Sequence, residues 1–264
     1  MPAVAADKLK NLRRETVAMP NAGWKTMRSL TPRVCTAVNA RFHFDDGYVA
    51  VRRHAALNDA MQDRASIAIV LLAAGEASRF GSPKQIASIG ERAMVRHCAI
   101  NALGTQVSVF VVTGAHRDAV ETALGGLHVA LVHNLEWTAG MGASIARGVR
   151  AARERNATLR GVLIALADQP SISTADLALL LREHMQTPEN IVASRFGERV
   201  GPPCVFPTTC FDELENLNGT SGARAVIERH AELCRPVDIP GAALDIDTRE
   251  DYRRFVEQTG LPHS

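Results

Sequence analysis

Val70-Leu-Leu-Ala-Ala-Gly-Glu-Ala-Ser-Arg-Phe-Gly-Ser-Pro-Lys84 joins an apolar segment to a small-residue loop that carries two cations. It belongs to an unbroken apolar run that starts at Ile67 and continues through Ala73, the composition of a short strand buried on both faces. At Gly75 the run gives way to small residues and then to Arg79 and Lys84. A glycine at such a point lets peptide N–H groups converge on an anion with no Cβ in the way, and the two cations add charge beside them. The combination suits the grip of a polyphosphate at the carboxyl end of a central strand. The plainer alternative is an ordinary strand–turn–helix connection whose cations are solvated.

Two familiar nucleotide loops are excluded by spacing. A Walker A loop needs G-x-x-x-x-G-K-[ST], whereas Gly81 is followed by Ser82-Pro83-Lys84. A dinucleotide fingerprint needs G-x-G-x-x-G after the strand, and none follows. The pattern L-A-A-G-x-x-x-R-x-G-x-x-K instead resembles the signature loop of nucleotidyltransferases that activate sugars, alcohols and cofactors with an NTP.

Outward from this loop, apolar runs alternate with helical patterns, as in a parallel sheet covered by helices. Met94, Val95, Cys98, Ala99 and Ala102 recur at helical spacing, and Gln106 to Thr113 reads as a second strand ended by Gly114. A short helix over Asp118 to Leu124 closes at Gly125-Gly126, and Leu127 to Val132 is a third strand. Gly142 to Arg155 is a helix with Ile145, Val149 and Ala152 inward, and Gly161 to Ala167 is the most hydrophobic strand and so the central one. Ser173 and Asp176 mark a helix start, with Leu177, Leu180, Leu181 and Met185 as its apolar stripe. Short strands are expected at Asn190 to Ser194 and Cys204 to Phe206 around a Gly-Pro-Pro turn, and another at Pro236 to Ile239. Helices over Phe211–Leu217 and Gly222–Glu232 and a last one capped at Thr248 and closed by Gly260 and Pro262 complete the pattern.

Composition bounds the function. With 264 residues, 46% hydrophobic and 22% charged, the chain suits one large globular domain or one domain plus an extension. A formal charge of +2 is too small to argue for nucleic acid or an anionic membrane as partner. No apolar run approaches the roughly 18 residues of a membrane span. Five scattered cysteines without a C-x-x-C pair suit reduced thiols in the cytosol, so the expected location is cytoplasmic. Residues 1–65 lack a sustained apolar period and an apolar signal-peptide core, and read as a disordered or loosely docked extension, with Met61 as an alternative start.

Three constellations carry chemistry. Asp168, in Leu-Ala-Asp-Gln-Pro, follows the central strand where open α/β sheets place their ligands, and a carboxylate there suits Mg²⁺. Its other reading is acceptance of backbone N–H bonds in a turn before Pro170. Asp245 and Asp247 alternate around Ile246 in Leu-Asp-Ile-Asp-Thr-Arg-Glu-Asp251, and either could join Asp168 on one metal. Otherwise Asp247 or Thr248 caps the final helix, with Asp251 in its first turn. Asn134-Leu-Glu-Trp-Thr-Ala-Gly-Met-Gly-Ala-Ser144 lies between a strand and a helix, with Gly140 and Gly142 allowing close backbone approach. His116 and His133, near strand ends, read as surface or capping residues.

Taken together, L-A-A-G-x-x-x-R-F-G-x-x-K, N-L-E-W-T-A-G-M-G-A-S, L-A-D-Q-P, G-P-P-C-V-F-P, G-T-S-G-A-R and D-I-D-T-R-E-D-Y stand in the order found in the MobA-like nucleotidyltransferases. The chain resembles that family, most closely the branch containing molybdenum-cofactor cytidylyltransferase, over about Ile67 to Val256; Ala74 is the letter that leans toward the cytidylyl branch. The resemblance implies an α/β, Rossmann-like three-layer fold with a mostly parallel sheet, of the nucleotide-diphospho-sugar transferase type, over residues 66–264. It implies that Leu72, Ala73, Ala74 and Gly75 line the base and triphosphate, that Arg79 and Lys84 hold the β- and γ-phosphates, and that Asn134, Gly140 and Ser144 shape the nucleotide pocket. Asp168 with Asp247, or Asp245 in its place, would bind Mg²⁺, with Mn²⁺ as substitute. Gly201, Pro202, Gly222 and Arg224 would belong to the acceptor side. Arg249 departs from the family's frequent proline, and Phe80 from its common methionine. The implied reaction moves CMP from CTP to a pterin phosphate, with a molybdenum hydroxylase or its maturation factors as partners. Rival readings are a guanylyl or other cofactor nucleotidyltransferase with another NTP, a non-catalytic factor that holds and delivers the pterin cofactor, and a plain Rossmann-like binding module.

Overall fold

The computed structural model describes residues 66–260, so the expectations for residues 1–65 and for Pro262 fall outside the described part. The opening apolar run is strand β1, Ile67–Ala73, buried at every position. Burial on both faces follows from its place in the sheet. β1 pairs in parallel with β2 (Ser108–Thr113) through Val70 and Phe110, and with β4 (Gly161–Leu166) through Val70 and Ile164. β3 (Ala130–His133) extends one side in parallel with β2. On the other side β6 (Arg199–Pro207) runs antiparallel to β4 and to β5 (Ile191–Phe196), and β7 (Cys234–Asp238) pairs in parallel with β5. The seven-stranded order is β3-β2-β1-β4-β6-β5-β7, with β6 alone reversed and β4 in the centre as its hydrophobicity predicts.

The period of two along β1 divides the core. Ile67, Ile69, Leu71 and Ala73 face one layer with Met94, Val95, Cys98, Ala99, Leu177, Leu180, Phe255 and Val256. Those partners belong to helices α1 (Met94–Leu103), α4 (Thr174–Gln186) and α7 (Arg249–Thr259), with α2 (Arg117–Ala123) adding Val120. Ala68, Val70 and Leu72 face the other layer, with Ile145, Val149 and Ala152 of α3 (Met141–Arg155). Leu214 of α5 (Phe211–Glu215) and Val226 of α6 (Ala223–Arg229) complete it. The result is the three-layer, mostly parallel α/β architecture expected.

Several local expectations need correction. The Gly-Pro-Pro segment is not a turn: Gly201, Pro202 and Pro203 lie within β6, and the hairpin reverses at Gly197-Glu198, where Gly197 takes φ +61°. Prolines lack the N–H a ladder needs. They are accommodated at an irregularity, where pairing passes from Ala193↔Cys204 directly to Ser194↔Gly201. The third strand starts at Ala130 rather than Leu127. On α4, Met185 is 38% exposed and His184 is the buried fourth member of the stripe. Positions 177, 180, 181 and 184 follow the i, i+3, i+4, i+7 face, whereas 185 lies one step off it. A short antiparallel ribbon of Ser88–Ile89 with Arg92–Ala93, unforeseen in the sequence, precedes α1. Among the described residues no helix is long and apolar enough to cross a membrane.

Helix α3 approaches the sheet so closely that a Cβ on Gly148 would stand 2.4 Å from Val70 Cγ1 and 2.9 Å from Val112 Cγ2. Both valines are stiff and fully buried, so the helix would have to lift. Gly148→Ala is therefore expected to cost about 1–3 kcal/mol through overpacking, despite the better helix propensity of alanine. Urea unfolding followed by circular dichroism reads this directly.

Candidate active site

At the carboxyl ends of β1 and β4 a cleft of about 580 Å³ opens, lined by the loop from Leu72 to Arg79, by Lys84 and Gln85, by Trp137, Gly140, Met141 and Ser144, and by Asp168 and Asp247. The loop is closed by Phe80 N–H donating to Ala77 O at 3.0 Å, with Ala77 held at φ +59°. A left-handed alanine is unfavourable, and such positions cluster where function dictates backbone shape. Lys84 follows on a single 3-10 turn, Lys84–Ile86.

Three distant segments meet at one ammonium. Lys84 Nζ donates to Asp168 Oδ2 at 2.7 Å and to Asp247 Oδ1 at 2.8 Å, while Arg79 Nη2 reaches Asp247 Oδ2 at 3.1 Å. The Lys84 side chain is only 11% exposed, whereas that of Arg79 is 73% exposed and free to follow an anion. Burial alone would push the Lys84 ammonium down, but Asp168 and then Asp247 outweigh it and hold it above its ordinary value. For Asp247, burial pulls upward, and the Lys84 bond and charge, with Arg79, bring the carboxyl below its usual range.

The backbone explains why these carboxylates are available. Ile246 is fully buried and donates its N–H to Asp168 O at 2.9 Å, which fastens residues 245–247 beside the end of β4. Thr248, not Asp247, caps α7: its Oγ1 accepts Asp251 N–H at 3.1 Å, and Asp251 Oδ2 accepts Thr248 N–H at 2.9 Å. Asp245 goes elsewhere, accepting Gln169 Nε2 at 2.8 Å. Its carboxyl is pushed up, first by desolvation against the neighbouring protein and then by the charge of Asp168.

Do these residues suit a divalent ion? Asp168 Oδ1 is buried with no hydrogen-bond partner among the described residues, an oxygen a hard cation would take. Among the described residues there is no group of three or more His, Cys, Asp or Glu side chains placed for a metal. Two carboxylates beside a cationic loop suit Mg²⁺, which is held by one or two protein carboxylates plus phosphate oxygens and water.

The remaining expected residues divide. Leu72, Ala73, Ala74, Gly75, Gly140 and Ser144 line the cleft. Asn134 stands behind it, donating Nδ2 to Ser144 Oγ at 3.0 Å while its Oδ1 accepts Glu136 N–H at 3.0 Å. Gly140, at φ +111°, packs so tightly that a Cβ would lie 2.2 Å from Gly219 O, and Gly142 donates its N–H to the same carbonyl at 3.1 Å. Two sequence motifs, around 137–144 and 219–224, thus touch through backbone. Gly201, Pro202, Gly222 and Arg224 do not line the cleft. Pro202 O lies 3.4 Å from Gln169 Nε2, Arg224 Nε donates to Val200 O at 3.4 Å, and Gly222 backs Met141.

Sequence reasoning missed Gln85, Met141 and Thr138 on the cleft wall. Only adjacency to Lys84 and to the glycines signalled them. The two departures from the family pattern prove to be partners. Arg249 lies over the Phe80 ring, 5.7 Å from its centroid, and its Nε donates to Phe80 O at 3.2 Å; Tyr252 meets the same ring edge-on at 6.0 Å. This clasp ties the start of α7 to the loop bearing Arg79.

The family model described as the MobA-like NTP transferase domain matches residues 69–233. The purine catabolism protein PucB of Bacillus subtilis (strain 168) is 29% identical over 194 residues, 69% of this chain and 92% of that protein. Nicotine blue oxidoreductase of Paenarthrobacter nicotinovorans is 30% identical over 199 residues, 71% of this chain and 95% of that protein. Rv0371c of Mycobacterium tuberculosis H37Rv, at 28% identity, superposes with a TM-score of 0.60 over 73% of this chain and 98% of that one. The same mycobacterial protein in complex with manganese gives a TM-score of 0.56. The fold is that of the nucleotide-diphospho-sugar transferases.

Removing Lys84 tests the cluster itself. Lys84→Met leaves Asp168 and Asp247 facing each other without their shared cation, and should lower stability at pH 7 by about 1–3 kcal/mol. Adding Asp247→Asn to that variant should recover part of the loss, as a double-mutant cycle in urea would show. The Asp247 carboxyl is lowered in the folded state, so its contribution is complete at neutral pH and fades as pH falls below the ordinary 3.8.

Proposed function

The chain belongs to the MobA-like NTP transferase family and is a nucleotidyltransferase, and from that premise we propose that it moves CMP from CTP to the phosphate of a pterin acceptor, releasing pyrophosphate. The observation that carries this reading is the convergence of Arg79, Lys84, Asp168 and Asp247 on one mouth of the cleft. The lean toward CTP rests on Ala74 in the loop, and the pterin acceptor on the order of the motifs.

In the proposed reaction an acceptor phosphate oxygen attacks the α-phosphorus in line. Phosphomonoesters are already largely ionised near neutrality, so no side chain need remove a proton. His116 Nε2 is engaged with the Glu76 carbonyl, and among the described residues no histidine lines the cleft. The protein's own work is positioning and charge neutralisation. Arg79 and Lys84 would transfer from the carboxylates to the departing pyrophosphate oxygens. Asp168 and Asp247 would hold a divalent ion, Mg²⁺ or Mn²⁺, which when bound neutralises phosphate charge and orients the triphosphate. The complex of the mycobacterial relative with manganese supports a divalent ion in this fold.

Two measurements test the reading. Among CTP, GTP, ATP and UTP with Mg²⁺, CTP is expected to raise the melting temperature most, by mass action on the folded state. With a pterin phosphate acceptor it should also release pyrophosphate. A preference for GTP would move the chain to a guanylyl reading, and tight pterin binding without pyrophosphate would make it a delivery factor. Asp168→Asn is expected to lower turnover at least about 100-fold, the order seen when a preorganised charge contact is lost. Unchanged turnover in that variant would overturn the metal assignment.

A further inference from the structure

Three consecutive carbonyls of the phosphate-facing loop are held by donors from other segments. Ala115 N–H donates to Ala74 O at 3.2 Å, Gln85 Nε2 to Gly75 O at 2.6 Å, and His116 Nε2 to Glu76 O at 2.8 Å. A carbonyl only accepts, so His116 carries its proton on Nε2 in this contact. In a planar trans peptide the C=O and the following N–H point in opposite directions. Fixing the carbonyls of residues 74, 75 and 76 therefore turns the N–H groups of Gly75, Glu76 and Ala77 the other way. Among the described residues none of those three N–H groups has a hydrogen-bond acceptor, and all three residues line the cleft.

We infer that Gln85 and His116 are positioning residues, which hold two loop carbonyls back so that a row of peptide N–H groups faces the triphosphate. The inference rests on the reading that this loop receives an NTP. The burial of Gln85 speaks for it. The residue is 3% exposed, its Oε1 has no partner, and the bond to Gly75 O is its one polar contact among the described residues. A buried amide with an orphaned oxygen is costly, and an apolar side chain would fill the same space without that cost. What the amide alone supplies is the donor to Gly75. His116 gives the matching donor from the β2–α2 turn while remaining partly exposed, so its ring is not needed for the core. Gly114 keeps that turn close, since a Cβ there would stand 2.6 Å from Ala74 O.

The test compares triphosphate with monophosphate binding on the full chain. Calorimetry with Mg²⁺ and a non-hydrolysable CTP analogue, with CMP, and with inorganic pyrophosphate would be run on Gln85→Met, His116→Phe and His116→Gln. Gln85→Met and His116→Phe should each weaken the triphosphate and pyrophosphate about tenfold, the order expected for a lost charge-assisted contact, while CMP binding changes little. His116→Gln restores an amide donor and should recover most of the loss. Wild-type triphosphate affinity in both donor-less variants, or an equal loss for CMP and the CTP analogue, would overturn the inference. If Gln85→Met does not fold, His116→Phe carries the test alone. Should the wild-type chain bind neither triphosphate nor pyrophosphate, the functional reading itself fails; should the wild type bind and Lys84→Met not, while Gln85→Met and His116→Phe bind as the wild type does, that reading stands and this inference alone fails.

Discussion

One buried ammonium holds this site together. Lys84 is shared by Asp168 and Asp247, from positions 84 and 163 residues further along the chain. Two carboxylates so placed would repel each other in a partly desolvated corner, and the lysine turns that repulsion into a tether. Arg79 supplies the second positive charge, so the four side chains balance formally. The charges are nonetheless poised rather than locked. Arg79 is mostly solvated, and a polyphosphate offers both cations a more highly charged partner than a carboxylate.

The sheet decides where this tether forms. β1 and β4 lie side by side and parallel, so the loop after one and Asp168 after the other emerge at the same edge. The segment bearing Asp247 arrives from far along the sequence and is fixed independently, by burial of Ile246, by the Thr248–Asp251 cap and by the Arg249–Phe80 clasp. Backbone packing does the same for the opposite wall, where Gly140 and Gly142 rest against Gly219.

Much of this was legible in the sequence because it obeys local rules. The apolar run of β1, the helical stripes of α1 and α3 and the Ser173 and Thr248 caps each announce themselves within a few residues. Asp168 could be placed because a strand end is a strong positional cue. Other features depend on what the chain meets later. Gly201-Pro-Pro203 looks like a turn until an irregular pairing with β5 absorbs the missing N–H groups. Met185 looks like the fourth member of the α4 stripe until the phase of the helix gives that buried place to His184. Asn134 bonds Ser144 and Glu136 from behind the cleft wall, a placement that the sequence around it does not announce. Which partner Asp245 and Asp247 each find, Gln169 or Lys84, is information that only tertiary structure holds.

The late position of Asp247 has a consequence for how the protein is made. A ribosome releases Lys84 and Asp168 well before Asp247, and elongation at about 5–20 residues per second separates the last two by seconds. Until then the nascent chain carries a loop with two cations and a single carboxylate to answer them, an excess of positive charge at the mouth of an unfinished cleft. Docking of the segment that carries Asp247 is thus the step that brings the mouth of the cleft to electrical balance.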